Sequence, residues 1–328
     1  EAVATVVRQT LSDPNEGVLA RAIHVAGQMS LSALIPDLER FLASHSVFTF
    51  SALLSLGLMT EKDALGNILP HRDARRLLRK YAAHPAANQE PEALAYALGL
   101  LRVPAHKTLR DIYQTSKDEK VRTAAVWGLS SLRDRRLASF FETALRDQSL
   151  GVQCAAINAL EHLALPETAP VLMNRFEALI KCEGEGDDRT CEPIEVFDCP
   201  EIALPVQEGG ATRIIVKRRE LLLAIVRALS TTEHPKLLTW LVRYQLKSET
   251  NYRTWLLMSR VYEKMEDLDK KGRLSTVRQR LRQTELLKRT KTVTPKPKAV
   301  PPKDMVKPPE PKTKPSKSKT VTPEEAQP

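Results

Sequence analysis

The chain has 328 residues, enough for one or two globular domains, and its composition already excludes some classes of protein. Apolar residues make up 42% of it but aromatic residues only 5%, which favours a core of leucine, alanine and valine. No apolar run approaches the roughly 20 residues that a helix needs to cross a bilayer.

The net charge of +10 is unevenly distributed. Residues 291–328 hold nine lysines against four acidic residues, and residues 272–290 hold six basic residues against one acidic residue. Residues 1–271 are therefore neutral overall. Because phosphate contacts dominate nucleic-acid affinity, a neutral main part of the chain argues against nucleic acid as the partner.

Helices with an apolar stripe and several small residues recur along the chain. In residues 118–132, apolar and small side chains fall at the i, i+3, i+4, i+7, i+8 spacing of one helix face. Residues 147–163 repeat the pattern, and Val152 stands 31 positions after Val121. Looser copies fit, in chain order, at residues 22–27, 50–58, 95–103, 221–229 and 252–259. A shorter amphipathic segment precedes each copy, and a period near thirty predicts stacked helical hairpins.

The sequences DEKVRTAAVWGL and DQSLGVQCAAINAL share an acidic residue at the turn, followed by Val-x-x-Ala-Ala-x-x-Gly/Ala-Leu. In this pattern the chain resembles HEAT-repeat proteins, of the short-repeat kind also found in bilin lyases. The resemblance covers roughly residues 1–266 and is strongest in the two central repeats. It implies an all-α fold, a right-handed α-α superhelical solenoid of about seven hairpins. We expect this solenoid to span residues 1–271 as one elongated domain, since each repeat packs only on its neighbours.

Short segments interrupt the repeats in the N-terminal half. Residues 12–17 are expected to form the first turn, with Pro14 at the first position of the next helix. Residues 60–71, TEKDALGNILPH, lengthen one repeat and are expected to add a helical turn. His71 and His84 border loops without acidic or cysteine partners at metal-ligand spacing, so we interpret them as surface histidines.

An acidic insertion occupies residues 182–216, between the two helices of one repeat. Residues 182–213 hold nine acidic residues against two arginines. The runs 202–206 and 212–216 predict a β-hairpin, the only β-structure expected. Insertions in repeat proteins often lie on a binding edge, although a tolerated surface excursion explains the same residues. The acidic residues lack the alternating ligands of a calcium loop, which favours a solvated loop without a metal.

The four cysteines are candidates for disulfides: Cys154, Cys182, Cys191 and Cys199. Their spacing contains no C-x-x-C pair and no nearby histidine, which disfavours zinc. Disulfides would restrain a flexible loop: Cys182 can close on Cys191, and Cys154 could pair with Cys199. Such bonds favour an extracytoplasmic location, in the periplasm or cell envelope, and four free thiols in the cytoplasm are the alternative. Because the sequence begins at Glu1 and not at methionine, we expect either that a leader has been removed or that the sequence is an excised segment.

The C-terminal end contains two basic segments. Residues 272–290 are expected to form a helix that caps the open end of the solenoid. Residues 291–328 contain ten of the 22 prolines as well as the nine lysines, so we expect a disordered or polyproline II tail. Such a tail can tether the protein electrostatically to an anionic surface or partner.

The resemblance implies a non-catalytic scaffold or adaptor that binds a protein partner along a concave face of the second helices. We expect four exposed residues there to contact the partner: Arg122, Trp127, Ser130 and Arg133. For Trp127 the alternative is that its ring fills the groove between repeats. No catalytic motif, cofactor site or metal site is identified. Two other classes of function remain open: a nucleic-acid-binding helical-repeat protein and a bilin-lyase-like enzyme.

Overall fold

The computed structural model describes residues 1–44, 46–84, 89–184, 190–200, 219–244, 246, 248–279 and 281–282. These residues belong to one compact unit, Glu1–Gln283. Within it, helical hairpins follow one another, each made of a first and a second helix. The hairpins are α1 (Ala2–Thr10) with α2 (Glu16–Gln28), α3 (Ile35–Ala43) with α4 (Thr49–Leu58), α5 (Arg72–Ala82) with α6 (Pro91–Leu100), α7 (His106–Thr115) with α8 (Glu119–Ser131), α9 (Ala138–Ala144) with α10 (Leu150–Leu163), α11 (Ala169–Glu177) with α12 (Leu221–Thr232), and α13 (Leu237–Arg243) with α14 (Ser248–Lys270). The predicted all-α solenoid of about seven hairpins is confirmed.

The second helices pack against one another in order, from α2 through α4, α6, α8, α10 and α12 to α14. Small residues set their spacing. A β-carbon added to Gly99 would lie 2.8 Å from the Cα atom of Gly128, and one added to Gly128 would lie 2.7 Å from the carbonyl oxygen of Ala95. The backbones of α6 and α8 therefore approach this closely only because both positions carry glycine, as the recurring small residues predict.

Most second helices end in the same turn, which contains one residue with a left-handed backbone. Backbone φ angles between 48° and 52° occur at Ser30, Arg102, Arg133, Ala164 and Glu233. After Arg102, the amide of Val103 donates to the carbonyl oxygen of Leu98 at 2.8 Å, which closes the end of α6. A non-glycine residue in this region is strained by about 1–3 kcal/mol, so the packing of the hairpins must hold it there.

The turn between α1 and α2 differs from its prediction. Helix α2 begins at Glu16, and Asn15 caps it. The side-chain oxygen of Asn15 accepts hydrogen bonds from the amides of Gly17 and Val18, at 2.9 and 3.2 Å. Pro14 therefore precedes the helix and does not occupy its first position. Asparagine is favoured at this site because its side chain pairs amides that the first helical turn leaves unbonded.

Residues 60–71 form a β-hairpin, so the predicted extra helical turn is wrong. Strand β1 (Thr60–Lys62) pairs antiparallel with β2 (Ile68–Pro70). His71, the next residue, is buried, and its Nδ1 atom accepts a hydrogen bond from an amide in the first turn of α5. The interpretation of His71 as a surface histidine is therefore wrong, because its ring caps a helix. His84 is exposed, as expected.

Side-chain hydrogen bonds within the turn favour this hairpin over a helix. The Asp63 carboxylate accepts hydrogen bonds from the Leu65 amide and from the amide and side chain of Asn67, at 2.8–2.9 Å. Gly66 adopts a left-handed φ of 82°, which glycine tolerates without strain. Aspartate that bonds to nearby backbone amides competes with helix formation in this way.

Among the described residues, the acidic insertion and its flanking residues form two short antiparallel ladders. Strand β3 (Ile180–Glu183) pairs with β4 (Thr190–Pro193), and β5 (Asp198–Cys199) pairs with β6 (Arg219–Glu220). The predicted hairpin of residues 202–206 and 212–216 lies outside the described residues. Because β1 and β2 lie in another repeat, the expectation that β-structure occurs only in the insertion is wrong.

The last described residues follow α14. Gly272 breaks the helix with a left-handed φ of 71°, and residues 273–279 are again helical, with Leu274 fully buried. The capping role of residues 272–290 stays a prediction, and the tail, 291–328, lies outside the described residues. Among the helices that the structure describes, none combines the length and apolar character needed to span a membrane.

Substitution Gly128→Ala is expected to lower the free energy of unfolding by about 1–3 kcal/mol, because the added methyl group must displace the α6 backbone. Thermal unfolding followed by circular dichroism measures the change. Gly17→Ala is the matched control, since Gly17 is exposed and a β-carbon there would lie 3.2 Å from one side-chain oxygen. Identical melting of Gly128→Ala and the parent would show that the second helices do not need this close approach.

Ala164→Gly is expected to raise the free energy of unfolding by up to about 1 kcal/mol, because relief of left-handed strain exceeds the added chain entropy of glycine. Ala83→Gly is expected to lower it, since Ala83 also follows a helix but has a φ of −88°. Urea unfolding of the two variants measures both changes. A loss of stability in both would contradict the strain assigned to Ala164.

Candidate protein-binding surface

Trp127 lies half-buried on α8, and its ring covers the preceding repeat. A β-carbon on Gly99 would come within 2.7 Å of the ring atom Cζ3, and the ring centroids of Trp127 and Tyr96 are 5.5 Å apart. The tryptophan therefore packs in the groove between α6 and α8, as the alternative interpretation predicts. The part of the ring that stays exposed offers the large aromatic surface that protein interfaces favour.

Arg122 is held in an ion pair between two repeats. Its Nη2 and Nε atoms donate to the two carboxylate oxygens of Asp147, at 2.9 and 3.1 Å, and Nη1 donates to the carbonyl oxygen of Lys117 at 2.9 Å. Only 17% of the arginine side chain and 9% of the aspartate side chain are exposed. The expectation that Arg122 is exposed is therefore wrong, because its guanidinium joins α8 to the turn before α10.

Asp147 also organises the turn in which it lies. It accepts hydrogen bonds from the Tyr113 hydroxyl at 3.1 Å and from the Ser149 amide at 2.8 Å. Burial acts to raise the pKa of Asp147, but the hydrogen bonds, that of Arg122 foremost, outweigh it and place the pKa below its ordinary value. The sequence analysis assigns Asp147 no role, although Asp147 is the acidic residue at the turn of the repeat motif.

Ser130 and Arg133 lie near the end of α8 in different environments. Ser130 is 5% exposed, so the expectation that it faces solvent is wrong: its position in the last turn lies among packed residues. Arg133 is exposed, in the left-handed turn that follows the helix. Of the four predicted contact residues, Trp127 and Arg133 thus keep side chains at the surface, and their contact with a partner stays a prediction.

Two disulfides fix the insertion. Cys182 and Cys191 stand directly opposite each other in β3 and β4 and are bonded, with Cα atoms 4.0 Å apart. Cys154 on α10 is bonded to Cys199 in β5, with Cα atoms 5.7 Å apart. Both predicted pairings are confirmed. The second bond ties the insertion to the second helix of the preceding repeat.

The insertion is held at a further point, by the last hairpin. The backbone of Cys191 forms an isolated β-bridge with Leu246. Leu246 belongs to a groove of about 560 Å³ with a mainly apolar lining: Leu241, Val242, Leu246, Trp255, Met258, Ser259, Tyr262 and Glu263. A disulfide to α10 and a backbone bridge beside α13 therefore restrain the insertion from two directions.

Between the two disulfides, the insertion presents aliphatic side chains to solvent. Ile194 and Val196 are each 67% exposed. Their backbone is held in place, because the Ile194 amide donates to the carbonyl oxygen of Leu179 at 2.9 Å. The Leu221 amide likewise donates to the carbonyl oxygen of Phe197 at 2.8 Å. Sequence reasoning did not single out these two side chains, since they lie among acidic residues without a helical or strand period.

Polar side chains continue the surface along α10 and α12. Asn158 occupies the template position of Trp127 one repeat later and is half-buried. Arg227 on α12 donates from Nε to a carboxylate oxygen of Glu161 on α10, at 2.5 Å. We call these four residues the second-helix face: Trp127, Asn158, Glu161 and Arg227. This face adjoins the insertion. Cys154, which is bonded to Cys199 in the insertion, lies on α10 together with Asn158 and Glu161.

Residues 106–178, from the start of α7 to just beyond α11, match the sequence model of HEAT repeats. These residues therefore form HEAT repeats. The matched hairpins include Trp127 and the Arg122–Asp147 ion pair. HEAT repeats generally act as scaffolds for protein interactions. No curated protein matches this chain. In the part of the chain that the structure describes, no group of three or more His, Cys, Asp or Glu residues is placed to hold a metal ion.

Asp147→Asn is expected to lower the free energy of unfolding by about 2–3 kcal/mol at neutral pH, because it leaves the Arg122 charge half-buried without its counter-charge. The folded pKa of Asp147 lies below the unfolded value of about 3.9. The stabilisation is therefore fully present above about pH 4 and is lost as the pH falls through the folded pKa.

Urea unfolding at a series of acidic pH values tests this expectation. The stability of Asp147→Asn should change less with pH below about pH 4 than that of the parent. Asp111→Asn, which alters an exposed aspartate on α7, is the matched control. An unchanged acid dependence in Asp147→Asn would show that the ion pair does not stabilise the fold.

Proposed function

We propose that the protein is a non-catalytic scaffold that binds a protein partner through the second-helix face together with the insertion. The observation that carries the proposal is the Cys154–Cys199 disulfide, which fixes a loop with exposed Ile194 and Val196 beside the second helices. A covalent bond across repeats is unnecessary for stacking the hairpins. It is useful where a surface loop must keep one conformation.

The physical advantage of this arrangement is preorganisation. Binding normally costs free energy to order mobile loops and side chains, and part of that cost falls away when the loop is already fixed. The half-buried ring of Trp127 adds an aromatic group of the kind that contributes most in protein interfaces. The Arg227–Glu161 ion pair and Asn158 would supply the polar contacts around it.

The location that fits this mechanism is extracytoplasmic, in the periplasm or cell envelope. Cytosolic thiol systems keep most cysteines reduced, and reduction would release the insertion from α10. Two disulfides that include all four cysteines support an oxidising compartment.

The basic C-terminal segments add an electrostatic tether to the proposal. Residues 272–290 and 291–328 together carry the whole net charge of +10, whereas residues 1–271 are neutral. A lysine-rich chain attracts anionic surfaces or partners over a distance that salt limits to about 10 Å. It would raise the rate of capture, while the second-helix face and the insertion would supply selectivity.

Site-specific photo-crosslinking tests the proposal. A photoreactive phenylalanine analogue is placed at Val196 or, as the matched control, at Val6, another exposed valine on α1. After expression in the extracytoplasmic compartment, we expect the Val196 probe to form a discrete adduct with a protein that the Val6 probe does not capture.

Two further variants test which parts of the surface are needed for the adduct to form. Trp127→Ala should weaken the Val196 adduct by about tenfold or more, as expected for a central aromatic contact. Replacing Cys154 and Cys199 together by serine should weaken it too, because the insertion loses its anchor. Identical adducts at Val196 and Val6, or an adduct at Val196 that neither change affects, would contradict the proposed surface.

A further inference from the structure

The β1–β2 hairpin projects from the turn between α4 and α5 and ends in aliphatic side chains. Leu65 at its tip is 87% exposed, Ile68 is 70% exposed and Leu69 is 44% exposed. A β-carbon on Gly66 would meet nothing within 4 Å, so the tip stands in open solvent. Three large aliphatic side chains within five residues are thus left in water, which is unfavourable unless something else covers them.

The hairpin is well held at its base and at its tip. At the base, the Thr60 amide donates to the Ser30 hydroxyl at 3.0 Å. At the tip, the Asp63 carboxylate accepts three hydrogen bonds from its own turn, two of them from Asn67. Because these contacts already fix the backbone, the apolar tip can enter a new environment with little further loss of conformational entropy.

The aliphatic side chains are distributed around the hairpin and not along one side of it. Ile68 and Leu69 are neighbours in β2 and therefore point to opposite faces of the two-stranded ribbon. Leu65 lies beyond both, at the turn. A groove on a partner protein covers one face of a ribbon, whereas the apolar layer of a bilayer surrounds it on all sides. The distribution therefore favours lipid as the medium that covers the tip.

Basic side chains follow the hairpin closely along the chain. Helix α5, which follows β2 directly, carries five of them within nine residues: Arg72, Arg75, Arg76, Arg79 and Lys80. The guanidinium of Arg75 donates to the carbonyl oxygen of Arg102 at 3.2 Å, which brings the basic turn of the next repeat against α5. This arrangement places positive charge behind an apolar tip.

The acidic side chains of this region are engaged within the fold. Glu61 lies 3.9 Å from Nε2 of His71, and Asp73 pairs with Arg76 at 3.2 Å. Asp63 is occupied by the hydrogen bonds of the turn. Residues 60–80 contain six basic residues against three acidic ones. Arg76 pairs with Asp73 and Lys80 with Glu39, so the exposed Arg72 and Arg79 supply most of the positive charge that faces outward.

We propose that the hairpin is a membrane-binding wedge that inserts Leu65, Ile68 and Leu69 into the surface of an anionic lipid bilayer, while the basic side chains of α5 contact the lipid headgroups. Three residues of strand extend about 10 Å, which matches the roughly 5–10 Å depth at which interfacial apolar groups lie.

The hairpin joins a second helix to the next first helix, and the insertion joins a first helix to its second helix. The two therefore lie at opposite edges of the stack, and the wedge does not depend on the protein-binding function proposed above.

A fluorescent probe at the tip tests the proposal in the full chain. Leu65→Cys is labelled with an environment-sensitive fluorophore and mixed with vesicles of phosphatidylcholine and phosphatidylglycerol. We expect a blue shift of emission and quenching by spin-labelled lipid, because the probe enters the bilayer surface. The same label on Ser139→Cys, an exposed site on α9, should stay in water.

Co-sedimentation of the unlabelled full chain with the same vesicles gives a second measurement. Replacing Ile68 and Leu69 together by serine is expected to lower partitioning by about tenfold or more, with unchanged circular dichroism. Val47→Ser, at an exposed aliphatic position between α3 and α4, is the matched control and should bind as the parent does. Vesicles of pure phosphatidylcholine should bind the parent more weakly, because they offer no anionic headgroups.

Three outcomes would overturn the wedge. One is a Leu65 probe that stays in water while the chain sediments with vesicles, because the basic C-terminal segments would then account for binding alone. Another is a parent chain that does not bind anionic vesicles at all. The last is a blue shift at Leu65 without vesicles, which would identify a second copy or another protein as the group that covers the hairpin.

Discussion

The close approach of the second helices is the constraint on which the rest of the structure depends. A β-carbon added to Gly57 would lie only 2.8 Å from the Cα atom of Ala97, and one added to Gly99 would lie equally close to the Cα atom of Gly128. Helices packed this tightly leave little side-chain surface, and in α6 the whole run from Ala93 to Gly99 is buried. Groups that could contact a partner are therefore displaced toward the turns, the insertion and the later repeats, where loops can vary without disturbing the stack.

The two departures from the repeat pattern are stabilised by different means. The β1–β2 hairpin is short, and the carboxylate of Asp63 is enough to hold its turn. The insertion is longer and acidic, and two disulfides restrain it. Their positions at opposite edges separate an apolar, basic surface from an acidic one. A single stack of helices can in this way present two chemically different surfaces.

The sequence predicts most of the architecture because helix stacking is encoded by a short repeating pattern. The stripe and small residues of α8 and α10 are sufficient to find the other hairpins, and the isolated cysteines were sufficient to propose both disulfides. The hairpin at residues 60–70 was missed because its strands have three residues each, and its turn depends on side-chain bonds of Asp63. The site was predicted less well. Arg122 pairs with a residue 25 positions away, and Ser130 is buried by neighbouring helices, so neither outcome is visible within one repeat.

The Cys154–Cys199 bond also has a mechanical consequence. Its two cysteines are 45 positions apart in the sequence, and the segment between them includes all of α11 and part of the insertion. When tension is applied to the two ends of the chain, the force passes through the disulfide and bypasses this segment. Fully stretched, the oxidised chain would be about 150 Å shorter than the reduced chain. Reduction would therefore convert a stiff link between neighbouring repeats into a long extensible one.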